Sequence, residues 1–147
     1  MDKARMNKNS GPTGRVYARL RLPAGSATAF STLATVMHVL GQAVPPRTAI
    51  RQLEALFIVS YANAMGRSVT LRDVIEQIGE DGESDARAVE RSFHLFTQPN
   101  KFYPEALDWI AHEVDPDDRR KKYLVLTPKG LEALSDLAEG FQASIQE

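Results

Sequence analysis

Residues 109–130 read WIAHEVDPDDRRKKYLVLTPKG, and this stretch does most to limit what the chain can fold into. Two short apolar segments, 109–114 and 122–126, flank a loop that packs seven charges into the eight positions from Asp115 to Lys122. Short apolar runs separated by turn formers read as strands, so the pair predicts a β-hairpin with a charged tip. Thr127 then stands as a helix cap with Pro128 at the first helical position, where its missing N–H costs nothing. Leu131, Leu134, Leu137, Phe141 and Ile145 follow at helical spacing, giving a C-terminal helix a long apolar face.

Upstream the periodicity is helical. Ser26 caps a segment running to about Leu40, with Phe30, Leu33, Met37 and Leu40 as its apolar stripe, and Gly41 and Pro45-Pro46 stop it. A second helix is predicted from about Thr48 to Ala64. Its centre, LFIV at 56–59, is apolar all round, as befits a central helix covered on several sides, and Gly66 lies just past its end. Thr70 caps a short helix, LRDVIEQI, with Asp73 at the capping-box position, and Gly79 ends it. GEDGES makes a turn. Ser84 then caps a helix through about Phe96, with Ala86, Val89, Phe93 and Phe96 facing inward. QPNKFYP at 98–104 reads as loop, and Pro104 can open one further helical turn.

With 147 residues, 43% apolar and 25% charged, the chain fits one globular domain with a sizeable core. It has no cysteine, which removes disulfides, thiolate chemistry and Cys-based metal sites and fits a reducing, cytoplasmic setting. No apolar run reaches membrane-spanning length, and the polar start has no apolar signal core. Net charge is −1, yet residues 1–22 carry six bases against one acid, so any other positive surface must be local. We divide the chain into a basic arm, 1–22, and a single domain, 23–147. Within the arm, 1–14 is polar and expected to be disordered. RVYARLRL at 15–22 alternates with period two, as a strand does.

The order helix, central helix, short helix, turn, helix, hairpin, helix contains a helix-turn-helix followed by a wing. Here the sequence resembles the multiple-antibiotic-resistance regulator (MarR) family of winged-helix transcription factors. The family's wing signature, an Asp, then Asp-x-Arg, then a strand ending in Leu-Thr-x-x-Gly, is matched without a gap by Asp115, Asp118, Arg120, Leu126, Thr127 and Gly130. Trp109 and Ile110 fall where the family has an apolar pair. The resemblance spans about 26–145 but is specific only over 109–130. The fold class it implies is mainly α with a small β-hairpin wing, a winged helix-turn-helix with N- and C-terminal dimerisation helices. The function it implies is a homodimeric, sequence-specific DNA-binding regulator that is not an enzyme and needs no cofactor.

On this reading double-stranded DNA meets two groups of side chains. Arg120 reaches the minor groove, oriented by Asp118 or Asp115, while Arg119, Lys121 and Lys122 meet phosphates. Arg87 and Arg91, one turn apart on the 84–96 helix, read guanine or hold phosphates. The plain alternatives are a solvated charged turn and a structural helix with solvated charges. Glu80, Asp81, Glu83 and Asp85 crowd the entrance of that helix and would repel phosphate. The 95–109 connection is also longer than the family's. The acidic entrance and the strand-like basic arm favour a second reading, a winged-helix module that binds protein or serves plasmid or phage replication or partitioning.

His38, His94 and His112 sit on different elements without metal-ligand spacing, so they read as surface or core-edge residues. Tyr61, Trp109 and Phe57 are candidates for the pocket the family often holds for a small-molecule effector, with core packing as their plainer role. No nucleophile–base pair, paired carboxylates or phosphate loop argues for catalysis.

Overall fold

The computed structural model describes residues 20–78 and 83–146. In chain order the elements are α1 (Ser26–Ala43), α2 (Ile50–Ala64), β1 (Val69–Thr70), α3 (Leu71–Ile78), α4 (Glu83–Ser92), a 3-10 turn (Phe93–Leu95), β2 (Ile110–Val114), β3 (Lys122–Leu126) and α5 (Pro128–Gln146). The chain forms two compact units, Met1–Ala34 and Thr35–Glu147, with the boundary inside α1. Among the described residues the first unit holds residues 20–25, which form no helix or strand, and the first half of α1. The second is the winged helix.

The core of the second unit is built around α2. Ala55, Leu56 and Val59 are essentially sealed, as the apolar centre of this helix requires, together with Val74 of α3, Phe96, and Ile110 of β2. Leu134 and Leu137 of α5 and Leu40 of α1 close the cluster. Gly66 stops α2 in the left-handed region (φ 69°), with Arg67 N–H donating to the Ala62 carbonyl at 2.8 Å. At the start of α3 the capping box forms in both directions. Thr70 N–H donates to Asp73 Oδ2 at 2.9 Å, and Asp73 N–H donates to Thr70 Oγ1 at 3.1 Å.

The sheet has three antiparallel strands in the order β1-β3-β2. The hairpin pairs Ile110 with Leu126 and Val114 with Lys122, so the charged segment 115–121 is its loop. β1 is too short to carry a periodic signal and was not expected. It docks on β3 by pairing Val69 with Leu124 and Thr70 with Tyr123.

Several boundaries differ from expectation for local reasons. α1 runs through Gly41 to Ala43, because burial of Leu40 outweighs the roughly 1 kcal/mol a helical Gly costs. α2 starts at Ile50 rather than Thr48. Thr48 Oγ1 instead donates to the Pro45 carbonyl, and Gln52 Oε1 accepts the Ala49 N–H at 2.7 Å. α4 ends at Ser92 and tightens into the 3-10 turn, which turns Phe96 into the core. Pro104 opens no helix. It sits in a turn in which Ala106 N–H donates to the Tyr103 carbonyl. Residues 20–22 are not a strand, while the rest of the 15–22 pattern and the 1–14 arm lie outside the described residues.

Candidate nucleic-acid interface

The wing loop is shaped by two carboxylates. Asp115 Oδ1 accepts the N–H groups of Asp117 at 2.8 Å and Asp118 at 3.3 Å, and its Oδ2 accepts the Tyr123 hydroxyl at 2.8 Å. Asp118 Oδ1 accepts Arg120 twice, from the backbone N–H at 3.0 Å and from Nε at 3.3 Å. Backbone bonds from Asp115 N–H to the Lys121 carbonyl and from Lys121 N–H to the Asp118 carbonyl close the loop. Of the two candidate partners for Arg120, then, Asp118 makes the contact, and Asp115 instead holds the turn and Tyr123.

This geometry displays the cations. The Arg120 side chain is 93% exposed although its Nε is tethered, which leaves its terminal nitrogens facing solvent. Arg119, Lys121 and Lys122 are exposed beside it. The Tyr123 hydroxyl, then the Asp117 amide, hold the Asp115 carboxyl below its ordinary value. The same bond to Asp115 pushes the Tyr123 hydroxyl up.

At the foot of the wing the Leu-Thr-x-x-Gly motif has a structural job. Thr127 Oγ1 donates to the Asp108 carbonyl at 2.6 Å and accepts the Gly130 N–H at 3.0 Å, while Thr127 N–H donates to the Trp109 carbonyl at 2.9 Å. A Cβ on Gly130 would collide with the Trp109 carbonyl, so only glycine lets α5 start this close to β2. Asp108, at φ 58°, turns the chain into the strand. Half of the motif that carried the family resemblance therefore serves the joint and half serves the wing tip.

On α4, Val89 is buried and Arg87 and Arg91 are exposed one turn apart; Phe93 and Phe96, just beyond its end, are also buried. His94 is half-buried in a stack on Tyr103, with ring centroids 4.6 Å apart. Glu80 and Asp81, and the side chains of Glu83, Asp85 and Ala86, lie outside the described residues. The long connection after the 3-10 turn is ordered by Asn100, whose Oδ1 accepts the N–H groups of Phe102 and Tyr103. It carries Phe102 79% exposed at its tip.

The histidines are less scattered than their sequence spacing suggests. His94 and His112 line one cavity of about 510 Å³ between α4 and β2, and His38 is elsewhere, bonded to Gln42. His112 lies below its ordinary value, through partial desolvation by the cavity wall and then the Lys122 charge. Among the described residues no group of three or more His, Cys, Asp or Glu is placed to hold a metal ion. The three pocket candidates do not meet in a common pocket. Trp109 stacks on Phe96, Phe57 meets Phe141 edge to face, and Tyr61 lines a shallow groove beneath Arg67. No described helix is long and apolar enough to cross a membrane.

No family model matches the sequence, and no curated protein matches it. Solved structures match it by fold. S. aureus MepR bound to ethidium bromide superposes with a TM-score of 0.56 at 16% identity, over 83% of this chain and 75% of that one. YusO from Bacillus subtilis gives 0.54 at 18%, over 82% and 72%. A transcriptional regulator from Thermotoga maritima gives 0.52 at 19%, over 82% and 72%. The winged-helix fold expected from the wing is the fold observed, and the chain shares it with these solved structures.

Proposed function

We propose that the chain is a sequence-specific DNA-binding transcriptional regulator of the MarR type, acting as a homodimer. The observation that carries this reading is the wing tip: an arginine almost fully exposed, tethered by Asp118, in a loop of four consecutive cations next to a helix-turn-helix. Restricting Arg120 at one nitrogen while leaving the terminal nitrogens open suits insertion into a narrow minor groove, where negative potential is greatest. Arg119, Lys121 and Lys122 supply phosphate contacts, and Arg87 and Arg91 face the major groove. The exposed apolar side chains of α1 and α5 supply the dimer contact.

The ordered 97–108 connection, with Phe102 exposed, favours a second reading in which the winged helix binds protein. One experiment separates the two. The full chain is mixed with random-sequence duplexes at low and moderate salt, and what is retained is sequenced. A regulator enriches a two-fold-related pair of half-sites about one helical turn apart. A protein-binding module retains no duplex preferentially. A small-molecule effector belongs to the first reading by analogy with MepR, which is solved with ethidium bound.

A further inference from the structure

A cleft of about 670 Å³ separates the wing from the start of α3. Arg72 lines one side and Arg120, Lys121 and Lys122 line the other. The two sides are not independent. β1 hydrogen-bonds to β3 through the pairs Val69–Leu124 and Thr70–Tyr123, which fixes the first residue of α3 directly beside the strand that begins at Lys122. Two carboxylates also line the cleft, and both are already engaged. Asp73 accepts the Thr70 N–H in the capping box, and Asp118 accepts Arg120. Four cations face two acids across the cleft, a net positive lining within a chain whose net charge is −1. Among the described residues Arg72 pairs with Glu76 at 3.8 Å, with the two side chains 89% and 70% exposed. Such a solvated pair exchanges readily for a stronger anion.

We propose that Arg72 is the opposing jaw of this cleft and that its occupant is the phosphodiester backbone of one DNA strand, gripped between α3 and the wing. This deepens the DNA-binding reading and rests on it. The chemistry needed is a line of negative charge, continuous enough to meet Arg72 on one side and Lys121 and Lys122 on the other. A duplex backbone supplies that along its length. Contacts of this kind carry no base information, so Arg72 contributes affinity equally to every sequence.

The test titrates a fluorescent duplex into the full chain at several salt concentrations. Arg72→Ala is expected to weaken binding about three- to tenfold at low salt and to lower the slope of log affinity against log salt by about 0.9, the release of one counterion. Arg72→Lys should restore most of both. Glu76→Gln frees Arg72 without removing it and should leave binding unchanged or tighter; if it weakens binding as Arg72→Ala does, the pair serves only the helix and the proposal falls. Arg47→Ala, an exposed cation outside the cleft, should leave the slope unchanged. Wild-type affinity and slope in Arg72→Ala, alongside a clear loss in Arg120→Ala, would overturn the jaw and leave the regulator standing. Failure of the wild-type chain to bind any duplex at low salt would overturn both. Inorganic phosphate at millimolar concentration should compete no better than its ionic strength predicts; stronger competition would mean a small-anion site and not a strand.

Discussion

Gly130 and Thr127 show how little freedom individual residues have at the wing's foot. Ala at 130 places its Cβ against a backbone carbonyl, which cannot move aside as a side chain does. Gly130→Ala should therefore cost about 3 kcal/mol or more, at the upper end of overpacking penalties, and a thermal melt followed by circular dichroism reads it directly. Arg120 is constrained in a different way, by function. Arg120→Ala is expected to lose about 1–3 kcal/mol of DNA affinity and any A/T preference at the flanks of the site. Lys122→Ala should weaken all sequences alike and reduce the salt slope by about one unit. Asp118→Ala removes a negative charge from a DNA-facing loop and should still weaken binding, because Arg120 loses its tether. Titrating the three variants on one duplex decides the matter. Tighter binding by Asp118→Ala, with Arg120→Ala no worse than Lys122→Ala, would reduce the wing to a charged turn.

Among the elements, the wing was the most legible in the sequence and its partners the least. The hairpin and α3 were readable because strand period, turn chemistry and Thr70–Asp73 capping are local signals, and the structure returns β3 and α3 with the expected ends. β1 was not readable, since a two-residue strand has no period and exists only by pairing with β3. The cleft beside Arg72 is missed for the same reason. The Asp115–Tyr123 bond spans eight residues across the hairpin, and no spacing rule announces it. Its consequence is a wing whose order depends on pH at both extremes. The folded Asp115 carboxyl lies below its ordinary 3.8, so its contribution is complete above that value and is lost as pH falls through the lowered one. Tyr123 lies above its ordinary 10.0, so its contribution is complete below that value and is lost as pH rises through the raised one. Amide spectra of residues 115–123, followed by NMR, should hold steady between those limits. Tyr123→Phe should begin losing wing order at a higher pH on the acid side, and an unchanged acid limit would show that the bond does not organise the loop.

On the scale of the whole molecule, the apolar surface left over is what argues for a second copy. α5 spends Leu134 and Leu137 on its own chain's core, so the C-terminal stripe is only partly available; Leu131 and Ile145 stay exposed at 44% and 64%. α1 is different. Phe30, Leu33 and Met37 recur along one face at 58%, 55% and 54% exposure, and only Leu40 of that stripe is buried. Large apolar side chains scattered singly need no explanation, but three in helical register on one element mark a contact surface. A two-fold pairing through this face would bury them. The full chain should therefore run as a dimer by light scattering at micromolar concentration. Replacing Phe30 and Met37 together with Asp should give a folded monomer, because neither side chain belongs to the core that α2 organises. That monomer should keep its circular dichroism spectrum and lose at least a hundredfold in duplex affinity, since the second half-site no longer benefits from a tethered effective concentration. A wild-type chain that is monomeric at micromolar concentration, or a double-Asp variant that stays dimeric, would show that α1 is covered by something other than its own copy.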